Sequence, residues 1–263
     1  MSAAARKMPE PSDVVSLKGK VSPEEWEQRV NLAALYRLAA MNGWDDLIFT
    51  HISARVPGPE HHFLINPYGL LFEEITASSL VKIDLDGNKI QDTPFPVNQA
   101  GFCIHSALHM KREDAHCVMH LHTTDGVAVA SQEQGLLPMD QHAMMIHQDI
   151  AYHDYEGVAL DLDERERLVH DIGDKHLMIL RNHGTLTLGT SCADTFMRMF
   201  YLERSCSMQV RALAGGVAIN KTNQGVADKT AKQGEAGFAM GMGNLAWPAL
   251  LRKLDKLDPS YRN

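Results

Sequence analysis

The chain has 263 residues, 44% of them apolar, and a formal net charge of -8. That length and composition allow one large domain or two small ones with a sizeable core. The acidic balance, without any lysine- or arginine-rich block, argues against nucleic acid or an anionic membrane surface as partner. No apolar run approaches the length of a membrane span. Prolines and acids follow Arg6 and Lys7 where a signal peptide needs its apolar stretch, so the expected location is cytoplasmic. Cys103, Cys117, Cys192 and Cys206 are widely spaced and form no CxxC pair, which fits free thiols in a reducing compartment.

Residues 1–20 are polar and aperiodic, and a flexible arm is expected there. Ser22-Pro23-Glu24-Glu25 opens a helix, with Ser22 as cap, Pro23 in the first turn and Glu25 at the capping-box position. Trp26, Val30, Ala33, Ala34 and Leu38 give it an apolar stripe, and Asn42-Gly43 ends it. Strands are expected over 47–56, broken by Pro57-Gly58-Pro59, and over 62–65. The runs 80–83 and 89–90 flank Asp86-Gly87 as a hairpin. Residues 100–112 have helical spacing and lead into the run Cys117-Val118-Met119-His120-Leu121-His122, which reads as a buried strand. A helix over 125–132 and a turn at 135–138 precede a stretch of mixed signals, 139–153, where strands are expected on a weak pattern. Next come a charged helix over 163–171, strands over 176–180 and 184–189, and a long helix capped by Ser191 that runs to about residue 214. Residues 215–243 are rich in glycine, alanine and methionine and read as a linker or arm. Leu245, Leu250, Leu251, Leu254 and Leu257 then form an amphipathic helix expected to pack on the core or on a neighbouring subunit. The expected division is an arm over 1–20, a domain over 21–215 and the C-terminal arm and helix over 216–263.

The chemistry concentrates in histidines. Residues two apart on a strand share a face, so His120 and His122 point the same way. They are two hydrogen-bonded core histidines or two ligands of one metal ion. His183, in Met178-Ile179-Leu180-Arg181-Asn182-His183-Gly184, again ends an apolar strand before a glycine. Three neutral imidazoles from two strand ends form the usual donor set of an open zinc or iron site. Arg55 and Arg181 can bind a substrate carboxylate or pair with one of the chain's 33 acids, and the ion pair is the better reading.

Five segments carry a resemblance: residues 47–55 (Leu-Ile-Phe-Thr-His-Ile-Ser-Ala-Arg), 65–69 (Ile-Asn-Pro-Tyr-Gly), 100–107 (Ala-Gly-Phe-Cys-Ile-His-Ser-Ala), His120-Leu121-His122-Thr123 and Arg181-Asn182-His183-Gly184. Together they resemble the class II aldolase/adducin family, which includes fuculose- and ribulose-phosphate enzymes and the membrane-skeleton protein adducin. The resemblance implies an α/β fold, a three-layer α/β/α sandwich around a mostly antiparallel central sheet. It implies a homo-oligomer, commonly a tetramer with sites at subunit interfaces, acting on a small-molecule substrate. It implies one divalent metal ion on His120, His122 and His183, with zinc expected and manganese or iron as alternatives. Ser53, Asn98 and Gln99 are the positions expected to bind substrate. One departure matters. The family's sugar-phosphate aldolases carry a glutamate nineteen residues before the first histidine of the pair, as metal ligand and acid/base, and that position here is Gly101. The serines that precede it and help hold phosphate are here Gln99 and Ala100.

Retro-aldol cleavage needs a base that Gly101 cannot supply, whereas decarboxylation needs only stabilisation of the carbanion and an acid to protonate it. His51 is the leading candidate for a replacement acid/base. Asp125, His142, Tyr152 and Tyr155 come behind it. The expected function is therefore a metal-dependent carbon–carbon lyase on a small hydroxy- or oxo-acid or sugar-derived substrate. The competing readings are an adducin-like binding protein and an iron oxygenase on the same site. The complete histidine set favours an enzyme, and without a lysine-rich tail an actin- or spectrin-type partner is not expected.

Overall fold

In a computed structural model of the chain, residues 8–157 and 163–263 are described, apart from the side chains of residues 99–103. Helix α1 (Pro23–Met41) starts where Ser22 accepts a hydrogen bond from the Glu25 amide. Glu25 does not complete a capping box. Its carboxylate turns inward to Arg29 at 2.9 Å and Lys82 at 2.8 Å, because Arg29 is fully buried and needs a counter-charge. The middle of α1, Leu32 to Tyr36, is buried on every side, so this helix lies in the interior rather than on the surface.

Strand β1 (His51–Arg55) is shorter than the expected run over 47–56. Leu47 and Thr50 take left-handed backbone angles, φ 53° and 62°, which end strand geometry before residue 51. Strands β2 (Phe63–Ile65) and β3 (Val81–Ile83) follow. The hairpin expected at Asp86-Gly87 forms its turn, but its return arm pairs only as an isolated bridge between Ile83 and Lys89. Helix α2 (Gln99–Lys111) leads into β4 (Cys117–Leu121), and Thr123 caps α3 (Thr124–Ala130). The weakly read stretch 139–153 divides. Asp140 caps a helix, α4 (Gln141–Ile146), and only β5 (Ile150–His153) is strand. Helix α5 (Glu164–Ile172), strands β6 (Leu177–Leu180) and β7 (Gly184–Gly189) and helix α6 (Cys192–Leu213) match the sequence reading closely.

Residues 215–243 are not a plain linker. They contain helix α7 (Gln224–Ala239), and α8 (Met242–Leu257) follows. Small residues of the stretch are contact points of its helices, Gly234 in α7 and Gly243 in α8. A side-chain carbon added at Gly234 would lie 2.1 Å from the Met145 carbonyl oxygen, and one at Gly243 would lie 2.4 Å from that of Ala193. Phe238, Trp247, Leu254 and Tyr261 join the main core, and Trp247 donates to Asn31 of α1. Leu245 and Leu257 of the expected apolar stripe remain exposed. At the other end, residues 1–7 of the expected arm lie outside the described residues. Further on, Val14 packs on Phe63 and its neighbours, and the Leu17 amide donates to Ser78.

The sheet has seven strands in the order β3-β2-β1-β4-β7-β6-β5, antiparallel throughout except for the parallel β5–β6 pair. Side-chain alternation divides the core in two. Cys117, Met119 and Leu121 of β4 face a layer built from α1, α3, α4, α6 and α8, while Val118 faces α2 and α5. This is a three-layer α/β/α sandwich. Among the described residues no helix is long and apolar enough to cross a membrane.

Candidate metal centre

Strand parity puts His51, Ser53 and His120 on the α2 side of the sheet, and β1 and β4 pair with His51 opposite His120. His122 lies one residue beyond β4. His183 sits in the short turn between β6 and β7, where Leu180 pairs with Gly184. Asn182 supplies the left-handed residue of that turn, φ 57°, a conformation asparagine tolerates better than most. Gly184 lets the turn close on β4. A side-chain carbon there would lie 2.3 Å from the Leu121 carbonyl oxygen and 3.0 Å from the His122 ring.

The three rings meet with each pair of centroids 4.8 Å apart, and one ring nitrogen from each lies within 4.8 Å of the others. Hydrogen bonding fixes which nitrogens converge. His120 Nδ1 is 3.0 Å from the Thr185 carbonyl, which can only accept, so that nitrogen carries the proton. His122 Nδ1 is 3.0 Å from an Asp46 carboxylate oxygen and donates likewise. The Nε2 atoms of His120 and His122 therefore face each other, 3.0 Å apart. One proton between them would satisfy those two rings and leave the third. A cation satisfies all three. Burial, followed by the neighbouring histidines, depresses the pKa of His120 well below the ordinary range and that of His183 to about 4, so both are neutral donors at pH 7. The donor set suits a divalent metal of the zinc or iron type, with Asp46 and the Thr185 carbonyl orienting two of the rings from behind.

A second group of histidines lies deeper. His109 Nδ1 donates to the Ala115 carbonyl at 2.8 Å, so its Nε2 accepts, at 2.7 Å, from the Ser53 hydroxyl. Ser53 Oγ then accepts from His105 Nδ1 at 2.6 Å. Burial holds His109 at about 3 and His105 well below its usual value, so both rings are neutral and the direction of the chain is settled. Ser53, expected at the substrate, is fully buried and its hydroxyl is taken up by this chain. His51 is 5% exposed, and burial lowers its pKa to about 3. Asn98 is half-buried just before α2, and the Gln99 side chain lies outside the described residues.

Among the other candidates, Asp125 pairs with Ser207 and Arg211, the Tyr152 hydroxyl accepts from the Leu136 amide, and His142 stacks near Tyr201. Tyr155 alone stands by the triad, its ring centroid 6.0 Å from that of His183. One terminal nitrogen of Arg55 donates to the backbone carbonyls of residues 109 and 112, and Arg181 pairs with Asp154. Asp46, which the sequence reading missed, belongs to no motif. The loop before β1 brings it to His122 once β1 pairs with β4. His105 and His109 did carry a signal, since residues four apart share one helix face.

Comparison with known proteins agrees with the architecture. Residues 30–210 match the family model "Class II Aldolase and Adducin N-terminal domain". The chain belongs to the class II aldolase/adducin family. A Caulobacter vibrioides protein named "Putative aldolase class 2 protein" is 59% identical, with 94% of this chain and 96% of that protein covered. Alpha-adducin of Mus musculus is 41% identical over 87% of this chain, which spans 33% of that longer protein. Among solved structures, an aldolase II superfamily protein from Pseudomonas syringae superposes with a TM-score of 0.90 at 50% identity, covering 95% of this chain and 100% of that one. The L-fuculose 1-phosphate aldolase of Glaciozyma antarctica PI12 gives a TM-score of 0.78 at 25% identity, covering 98% and 97%.

Proposed function

We propose that this chain is a metal-dependent carbon–carbon lyase acting on a small hydroxy- or oxo-acid or a sugar-derived substrate. The convergence of three imidazole donors, two of them with outward nitrogens fixed by Asp46 and Thr185, carries the reading. A divalent ion bound there, zinc before manganese or iron, supplies a Lewis acid for a carbonyl oxygen and for the negative charge left when a carbon–carbon bond breaks. His120, His122 and His183 hold it. His51, directly across from His120 on β1, is the acid–base group in this reading, and Asn98 and Gln99 at the start of α2 contact substrate. His51 is neutral at pH 7, so in the free protein it is a hydrogen-bonding group and a weak base. The likeness to an L-fuculose 1-phosphate aldolase supports carbon–carbon cleavage as the reaction class. Gly101 supplies no carboxylate for the base step of aldol cleavage, which moves the preference toward decarboxylation.

The likeness to alpha-adducin supports a second reading, a binding protein without catalysis. Metal content separates the two. Protein purified without a histidine tag is expected to hold close to one zinc, manganese or iron per chain, and a His183→Ala variant is expected to lose it. Iron with oxygen uptake would indicate oxygenase chemistry. A parent protein that takes up no ion, even after each is added, overturns the lyase reading and leaves the binding role.

A further inference from the structure

Helix α6 is a core helix, yet it carries a carboxylate facing inward. Glu203 is 3% exposed and lies among buried Met199, Leu202 and Cys206. Two hydroxyls hold it, and among the described residues no cation pairs with it. One oxygen accepts from Thr123 and the other from Thr185 at 2.6 Å. A lone buried carboxylate is an expensive thing to keep in a core, so its position calls for a reason.

Both threonines belong to segments that carry the triad. Thr123 follows His122 directly. Its hydroxyl oxygen accepts from the Gly126 amide at 3.0 Å, which caps α3, and its single proton goes to Glu203. Thr185 lies opposite Leu121, and its carbonyl takes the His120 Nδ1 proton while its hydroxyl donates to Glu203. Glu203 thus joins the residue after His122 to the residue that orients His120, two positions beyond His183. The fit is close. A side-chain carbon at Gly126 would lie 2.9 Å from Glu203 Oε1 and 2.5 Å from the Thr123 hydroxyl oxygen.

We infer that Glu203 is a positioning residue for the metal centre, a buried carboxylate that ties the segment just after His122 to the start of β7 so that three imidazoles meet at one point. The inference rests on the reading of the triad as a metal site. Its negative charge also complements a dication that three neutral donors leave uncompensated. Burial pushes the Glu203 pKa up, so an ion across Thr123 and Thr185 favours its charged form.

The test is zinc affinity, measured by chelator competition on the full chain, for the parent and for Glu203→Gln, with melting temperatures recorded for metal-free and zinc-loaded samples. Glu203→Gln is expected to weaken zinc about 10-fold, the lower end of the range for loss of an outer partner of a metal ligand, because it acts through Thr185, the partner of His120. The rise in melting temperature on loading should shrink with it. Thr185→Val should also weaken zinc, whereas Thr185→Ser, which keeps the hydroxyl, should bind like the parent. This pair decides the matter if Glu203→Gln fails to fold. A parent that binds zinc, with variants that bind it equally well, overturns the role of Glu203 alone, even if their metal-free melting temperatures fall. A parent that takes up neither zinc, manganese nor iron overturns this inference together with the metal reading, and one that takes up manganese or iron but no zinc is tested with the same variants on that ion.

Discussion

Two groups of histidines share the α2 side of the sheet, and they use the same side chain in opposite ways. In the triad, two rings give their protons outward, to Asp46 and to the Thr185 carbonyl, and turn bare nitrogens toward each other. In the inner chain, His105, Ser53 and His109 pass donors in one direction until the Ala115 carbonyl ends the line. The first arrangement concentrates lone pairs at a point, whereas the second spends those of Ser53 Oγ and His109 Nε2 on a neighbour's proton and leaves only the outer nitrogen of His105, at the head of the line, without a partner. Counting protons therefore separates a ligand set from a core network, where burial and spacing alone do not.

The largest effect that could break this contrast is expected at Gly184. Gly184→Ala places a methyl 2.3 Å from the Leu121 carbonyl oxygen and against two of the triad rings. We expect loss of bound metal together with a fall in stability of about 3 kcal/mol, the upper range for overpacking, read by metal analysis and urea unfolding. A variant that keeps both would show that the turn closes without help from a missing side chain.

Acid should strike the neutral buried rings next. His51 and His109 titrate at about 3 in the folded chain and at about 6.5 when unfolded. Below about 6.5 the unfolded chain binds more protons than the folded one, so stability falls as pH falls toward 3. Between pH 7 and pH 5 each ring contributes a loss of about 2 kcal/mol. Urea unfolding of metal-free protein at both values measures it, and unchanged stability would contradict the neutral assignment.

The sharpest comparison comes from Ser53→Ala. It leaves the His105 donor and the His109 acceptor buried without a partner, at about 1–2 kcal/mol each, the lower part of the range for such groups, and touches no residue of the triad. Stability should fall by about 2–4 kcal/mol while metal stoichiometry stays as in the parent. A loss of metal would mean that the two groups form one system.

Much of this was legible beforehand, for reasons that differ by residue. Strand parity and an apolar run are local, so they placed His120 and His122 on one face, and the glycine after His183 marked the turn. The Ser22 cap and the Ser191 cap are equally local. Asp46 was hidden because a loop with two left-handed residues brings it to His122, and nothing in residues 45–50 announces that path. Glu203 was hidden because one acid in a helix reads as a solvent-facing residue until the sheet beneath it is known. Helix α7 was hidden because Gly234 and its neighbours suggest flexibility in sequence, whereas in space they allow backbone contact with α4.

The triad is also uneven in its mechanical support. Strand β4, which presents His120, is bonded along both edges, to β1 and to β7. His183 rides on a three-residue turn held by the His183 amide to Leu180 and by the Asn182 amide to Ala130. Edge-bonded central strands open only with the whole domain, while turns open locally and far more often. For any ion held there, all three rings would share in the affinity, and release would begin at the His183 turn, the support that opens locally.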